Sequence, residues 1–184
     1  MAELDPSRSA GTSTQAAATF VFADIAGFTA LTEAHGDEQA AALVAEFCAA
    51  VNAELETFGA THVKSIGDAL MLRVPEPGDA VRLGLHIVHD LMPGHGAPAV
   101  RAGLHHGCYV ERDGDFFGAA VNLAARVSGQ AVGGEVLLTG QTAALAPDLD
   151  GVLYEPRGRQ PLRNVRDPVE LFAAVPGGQD RGAS

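Results

Sequence analysis

Residues 62–74 read HVKSIGDALMLRV. Two β-prone runs, His62–Ile66 and Ala69–Val74, are separated only by Gly67-Asp68, the two-residue spacing of a tight hairpin. On the N-terminal side, Ala40, Leu43, Val44, Phe47, Cys48, Val51, Leu55 and Phe58 recur at i, i+3, i+4, i+7 steps. That spacing predicts an amphipathic helix over Asp37–Phe58, closed by Gly59. Ahead of it, Thr19–Ala23 (TFVFA) is a short strand ended by Asp24. On the C-terminal side the pattern predicts a helix over Glu76–Leu91, stopped by Pro93-Gly94, and a strand over Val100–Val110. A turn at Asp113-Gly114, a helix from near Gly118 through Val121–Val127 and a strand over Glu135–Leu138 follow. A short helix near Gln141–Leu145 and strands near Val152–Glu155 and Val169–Ala174 complete the order. Strand, helix, hairpin, helix, strand predicts an α+β sandwich, with helices packed on one face of an antiparallel sheet.

Composition narrows the functional classes. The 184 residues carry 12 Lys+Arg against 23 Asp+Glu, a net charge of −11, which repels phosphodiester backbones and anionic membranes. Hydrophobic residues at 47% suffice for one globular core, and no apolar run reaches the roughly 18–20 residues of a membrane helix. Residues 1–17 are expected to be a flexible leader without a signal-peptide pattern, and 176–184 a flexible tail, around one domain at 18–175. Cys48 and Cys108 form no CxxC pair, so a cytoplasmic setting is expected. The chain has a single lysine, Lys64, among eleven arginines. Either the composition simply favours Arg, or this position needs a compact point-charge donor.

The chain lacks GxxxxGK[ST], a GxGxxG after a strand, GxSxG and HExxH. Two acidic residues offer a different route to phosphate chemistry. Asp24 ends the first strand and Asp68 sits at the hairpin tip, and in this topology the two could converge. Paired carboxylates together with substrate phosphates are the usual way to hold Mg²⁺ or Mn²⁺. A helix expected to begin over Ala26–Thr29, directly after Asp24, has free N–H groups that could cradle a phosphate. Taken singly, an Asp in a hairpin is commonly a turn former, and an Asp after a strand a helix cap.

The segments FADIAGFTALTE (Phe22–Glu33) and KSIGDALM (Lys64–Met71) resemble the catalytic motifs of the class III adenylate/guanylate cyclases. GLHHG (Gly103–Gly107), DFFGAAVNLAARV (Asp115–Val127) and, more weakly, GRQPLRNVRDPVELF (Gly158–Phe172) continue the resemblance in order. It implies a ferredoxin-like (palm-type) fold and conversion of ATP to 3′,5′-cyclic AMP and pyrophosphate. It also implies a homodimer with two interfacial active sites, each holding two Mg²⁺ or Mn²⁺ ions. Asp24, Asp68 and the carbonyl of Ile25 match the metal ligands, and Lys64 and Asp115 the pair that reads adenine. Asn122 and Arg126 match the residues that position the ribose and stabilise the transition state. Arg163 stands where the family usually has a triphosphate-binding lysine, with Asn164 in place of Gly; Gly27, Phe28 and Thr29 are expected to bind the triphosphate. The short segment between His106 and Asp115 suggests a compact arm at the dimer contact.

Two other classes compete: a catalytically weak cyclase fold serving as a regulatory partner, and a diguanylate cyclase or polymerase-like palm. The second would carry a GGDEF-type hairpin in place of IGDA (Ile66–Ala69). The remaining reactive side chains have plainer readings. His86 and His89 are expected at the surface or boundary, without a carboxylate partner nearby in sequence. His105 and His106 alternate across a strand and cannot face one metal. Cys48 and Cys108 are expected to serve packing.

Overall fold

The computed structural model describes residues 16–91 and 98–177. The expected leader, apart from Ala16 and Ala17, lies outside them, as do the Pro93-Gly94 helix stop and all but Pro176 and Gly177 of the tail. The strands are β1 Ala17–Ile25, β2 Thr61–Ile66, β3 Ala69–Val74, β4 Val100–Cys108, β5 Val110–Arg112, β6 Asp115–Phe117, β7 Val136–Thr139, β8 Val152–Gln160 and β9 Val169–Pro176. The helices are α1 Phe28–His35, α2 Asp37–Glu54, α3 Pro77–His89, α4 Ala119–Ser128 and α5 Gly140–Leu145. Seven strands form one sheet in the order β2-β3-β1-β4-β7-β9-β8, and β5 pairs with β6 as a separate arm. The first four strands and their helices make the βαββαβ ferredoxin-like unit.

Helices cover both faces of this sheet, not the single face expected. Along β1, Val21, Ala23 and Ile25 point toward α2 and α3, while Ala18, Phe20 and Phe22 point toward α4. Six of the nine β1 residues are fully or almost fully enclosed hydrophobics, which is why its sequence reads as a continuous apolar run instead of an alternating one. One strand pair, β4–β7, is parallel; the others are antiparallel. The helix expected over Asp37–Phe58 is α-helical to Glu54 and tightens into a 3₁₀ turn over Leu55–Phe58, where Gly59 (φ 59°) ends it. The strand expected to reach Val110 stops at Cys108, and β8 runs five residues past Glu155.

The seat of α4 on the sheet is set by two glycines. Gly103 and Gly107 lie on one face of β4, and a Cβ on Gly103 would strike the backbone of Ser128. A Cβ on Gly107 would approach that of Ala120 to 2.9 Å. Between them the glycines let α4 lie against the strand along its length, burying Ala120, Val121, Ala124 and Val127. Gly103→Ala is therefore expected to destabilise the fold by about 1–3 kcal/mol or more, the usual scale of overpacking. Chemical denaturation measures this, and an unchanged midpoint would show that α4 does not depend on that close approach.

Candidate active site

Two aspartates meet at one end of β1. Asp24 shares its face of the strand with Phe20 and Phe22, and Arg101 stands directly across from it on β4. The Arg101 Nε donates to Asp24 Oδ1, its Nη1 donates to the Ala131 carbonyl at 3.1 Å, and Ser128 Oγ reaches Asp24 Oδ2 at 3.4 Å. Asp68 sits at the β2–β3 turn after Gly67, whose φ of 63° suits the first position of a two-residue hairpin. The nearby backbone N–H groups of Asp68 itself and of Ile25, at the end of β1, favour its ionised form. Burial, with repulsion from Asp24, nevertheless raises the Asp68 pKa, and Arg101 offsets this only in part. Two close carboxylates share one guanidinium, so the charge balance favours a further cation. Among the described residues no group of three His, Cys, Asp or Glu side chains surrounds a point. The side-chain donors here are thus two carboxylates, which would leave the rest of a hard cation's shell to other oxygens. That set fits Mg²⁺ or Mn²⁺ and not a closed zinc site.

Lys64 reaches the α4 face through a β-bulge. His62 pairs with Leu72, yet Lys64 pairs with Met71, so one extra residue lies between them. Without that bulge Lys64 would stand opposite Leu70 and face α3. With it, Lys64, Met71 and Phe22 form a row that lines a cavity of about 460 Å³, together with Phe117, Val121 and Asn122. The arm brings the counter-charge: Asp113 (φ 53°) and Gly114 (φ 77°) make a tight turn that sets Asp115 at the start of β6. Lys64 Nζ donates to both Asp115 oxygens at 2.6 and 2.7 Å, and the Phe116 N–H donates at 2.8 Å. These bonds, that from Lys64 foremost, hold the Asp115 carboxyl below the usual range.

Asn122 and Arg126 project from one side of α4 at i, i+4. Asn122 borders the Lys64 cavity and also a second one of about 460 Å³, which Arg126, Arg163, Asn164 and Arg166 line. The loop before β9 presents Arg163 and Arg166 through a turn in which the Val165 N–H donates to the Leu162 carbonyl at 3.1 Å. Leu162 is buried, and Asn164 adopts φ 60°, a left-handed conformation that Asn tolerates after Gly. The substitution at Asn164 thus preserves the turn. At the start of α1, Gly27 (φ 73°) ends the approach from β1, so the N–H groups of Phe28 and Thr29 have no acceptor within the helix.

The chain therefore brings Asp24 to Asp68, Lys64 to Asp115, and Asn122 to Arg126 and Arg163. Asp24 and Asp68 line neither of the two cavities described. Sequence reading missed Arg101, Ser128 and Arg166. Arg101 was detectable as the residue two before Gly103 on the same strand face, and Arg166 as the i+3 neighbour of Arg163. His86 does have carboxylate partners, with Asp90 Oδ2 at 2.9 Å from Nδ1 and Glu54 Oε2 at 3.6 Å from Nε2. His105 and His106 do part to opposite faces, toward Thr139 and Thr19 respectively. Burial lowers the His105 pKa to about 4, so it is neutral at physiological pH. Cys48 packs against the core as expected, but Cys108 is exposed.

Residues 12–173 match the adenylate and guanylate cyclase catalytic domain family. A pH-sensitive adenylate cyclase of Mycobacterium tuberculosis is 34% identical over 168 residues, covering 90% of this chain and 42% of the relative. An adenylate cyclase of Streptomyces griseus is 33% identical over 122 residues, covering 66% of this chain and 31% of the relative. The chain thus spans less than half the length of these curated relatives. The structure of the adenylyl cyclase CyaB from P. aeruginosa superposes with a TM-score of 0.76 at 22% identity, covering 90% of this chain and 97% of that one. A guanylate cyclase domain from Catenaria anguillulae gives 0.78 at 18% identity, over 89% and 98% of the two chains. At those identities the structures share the fold alone. Given the match over most of its length and the relative at 34% identity, this chain belongs to the adenylate and guanylate cyclase catalytic domain family.

Proposed function

We propose that the chain converts ATP to 3′,5′-cyclic AMP and pyrophosphate for cyclic-nucleotide signalling, working as a homodimer. The observation that carries this reading is the Lys64–Asp115 pair beside a cavity that shares the wall residue Asn122 with the arginine-lined one. An ammonium donor suits adenine N1, and a carboxylate acceptor suits the exocyclic amine. Guanine presents the reverse pattern, an O6 acceptor and an N1–H donor, so this pair disfavours it. The two curated relatives described as adenylate cyclases agree with that choice of base.

With the base held at Lys64 and Asp115, Asn122 orients the ribose, and Arg163 and the Gly27–Thr29 N–H groups hold the triphosphate. The ribose 3′-oxygen, its proton passing to solvent water, bonds to the α-phosphorus as the bond from that phosphorus to the leaving pyrophosphate oxygen breaks. Arg126 stabilises the charge that accumulates on the pentavalent phosphorus. Asp24, Asp68 and the Ile25 carbonyl are the groups that would hold divalent ions. The chemistry that two Mg²⁺ or Mn²⁺ ions supply when bound there is acidification of the 3′-hydroxyl and neutralisation of the triphosphate. Since Asp24 and Asp68 line neither cavity, we assign the carboxylate half of each site to one protomer and the base-and-arginine half to its partner. No described helix is long and apolar enough to cross a membrane. Two free cysteines suit a reducing, cytoplasmic setting.

The direct test is purified protein with ATP or GTP and Mn²⁺, with cyclic product quantified. Asp24→Ala or Asp68→Ala is expected to abolish cyclisation while circular dichroism remains native. Metal-dependent activity in the folded double variant would remove the carboxylates from the mechanism. Lys64→Glu combined with Asp115→Ala is expected to shift preference from ATP toward GTP by roughly ten- to a thousandfold, the scale of two buried hydrogen-bond mismatches. An unchanged ATP/GTP ratio would show that these residues do not read the base. Mixing Asp24→Ala with Arg126→Ala protein is expected to restore about a quarter of wild-type activity, because half the exchanged dimers are mixed and each holds one intact site. No recovery after demonstrated exchange would reject the division of the site between protomers.

A further inference from the structure

Among the described residues, charge pairing separates most of the arginines of this acidic chain into two groups, with Arg112 of the β5–β6 arm unpaired and outside both. Arg82, Arg101 and Arg157 each face a carboxylate. Arg73 donates to the Tyr109 hydroxyl, and Arg159 donates to the Pro168 carbonyl. By contrast, no carboxylate among the described residues lies within ion-pair distance of Arg126, Arg163 or Arg166. Those three line one cavity with Asn122 and Asn164. Guanidinium groups gathered without counter-charge repel one another, in a protein whose acidic residues outnumber its basic ones 23 to 12.

The loop is built to present two of them together. Leu162 and Val165 turn inward three residues apart and pack in one apolar cluster with Val127 of α4. Arg163 and Arg166 follow the same three-residue step one position later, outside that cluster and along the wall of the cavity. The Leu162–Val165 turn and the left-handed Asn164 fix this spacing. Asp167 follows Arg166 in sequence and pairs with neither arginine in the described structure.

We infer that Arg166 is a further phosphate-binding residue, which with Arg126 and Arg163 forms a three-arginine site for a polyphosphate chain. The inference rests on the cyclase reading, in which that chain is the triphosphate of the substrate and then the departing pyrophosphate. Guanidinium matches phosphate oxygens through parallel N–H donors, so a third one adds affinity for the polyphosphate without contacting the base. Arg166 thereby governs binding of substrate and release of pyrophosphate, and leaves base choice to Lys64 and Asp115.

The test is a titration of the full chain with inorganic tripolyphosphate, followed by thermal shift in metal-free buffer, where the aspartates cannot bridge to the anion. Pyrophosphate inhibition of cyclisation is the second readout. Arg166→Gln is expected to weaken tripolyphosphate binding about tenfold and to raise the pyrophosphate inhibition constant in parallel, with the ATP/GTP ratio unchanged. Arg166→Lys keeps the charge and loses the paired donors, and is expected to fall between the two; it also serves if the Gln variant folds poorly. If Arg163→Gln weakens the anion while both Arg166 variants stay within twofold of wild type, Arg166 lies outside the site and the inference is overturned. A change in ATP/GTP ratio in Arg166→Gln would also overturn it, by making Arg166 a base contact. If the wild-type chain neither binds tripolyphosphate nor forms a cyclic product from ATP, the cyclase reading itself fails.

Discussion

The close approach of α4 to β4 is the constraint on which the site depends. Every side chain of the helix that faces a cavity is positioned by how deeply the helix sits, and that depth is set where Gly103 meets the Ser128 backbone. A methyl group there would lift the C-terminal turn of α4. Arg126 would shift with it, and so would Ser128, whose hydroxyl reaches Asp24. The same contact therefore bears on Arg126 directly and on the Asp24 carboxylate through one hydroxyl. It also gives the GLHHG segment a physical meaning: its two glycines are spaced to lie on one strand face beneath a single helix.

A second theme is the placement of charge. The chain is strongly acidic, yet three of its arginines, Arg126, Arg163 and Arg166, line one cavity, so the local field there opposes the global one. Lys64 is the only lysine and stands in a partly enclosed ion pair with the arm, not on the open surface. Its ammonium engages both oxygens of one carboxylate. Arg101 plays the corresponding part at the other end, neutralising Asp24 across the strand pair.

Much of this was legible in the sequence, because the hairpin around Gly67-Asp68 and the periodicity before and after it leave few topologies open. The motifs led to the expectation that Asp24 lies near Asp68, and the structure brings these two together. What escaped the reading depends on long-range placement. The bulge before Lys64 exists only in pairing with β3, and β2 alone looks like an uninterrupted strand. Covering of both sheet faces followed from β4 having a glycine face that admits α4, which apolar periodicity does not register. Arg101 and Glu54 find their partners 77 and 32 residues away in sequence, beyond any local pattern. Cys108 was assigned to packing, but it ends β4 where the chain turns outward into the arm.

The two register irregularities of the sheet fall on its two outermost strands. β2 is bulged between His62 and Lys64, and β8 between Pro156 and Gly158, beside Arg157 and Arg159. An outer strand with a straight ladder of unpaired N–H and C=O groups is a template on which another molecule's strand can polymerise. A kink, a proline and fixed positive charges spoil that template. These features disfavour edgewise growth of the sheet. The bulge that aims Lys64 at the cavity thus also guards solubility, so straightening β2 by deleting Val63 would expose the chain to aggregation even if the lysine kept its direction.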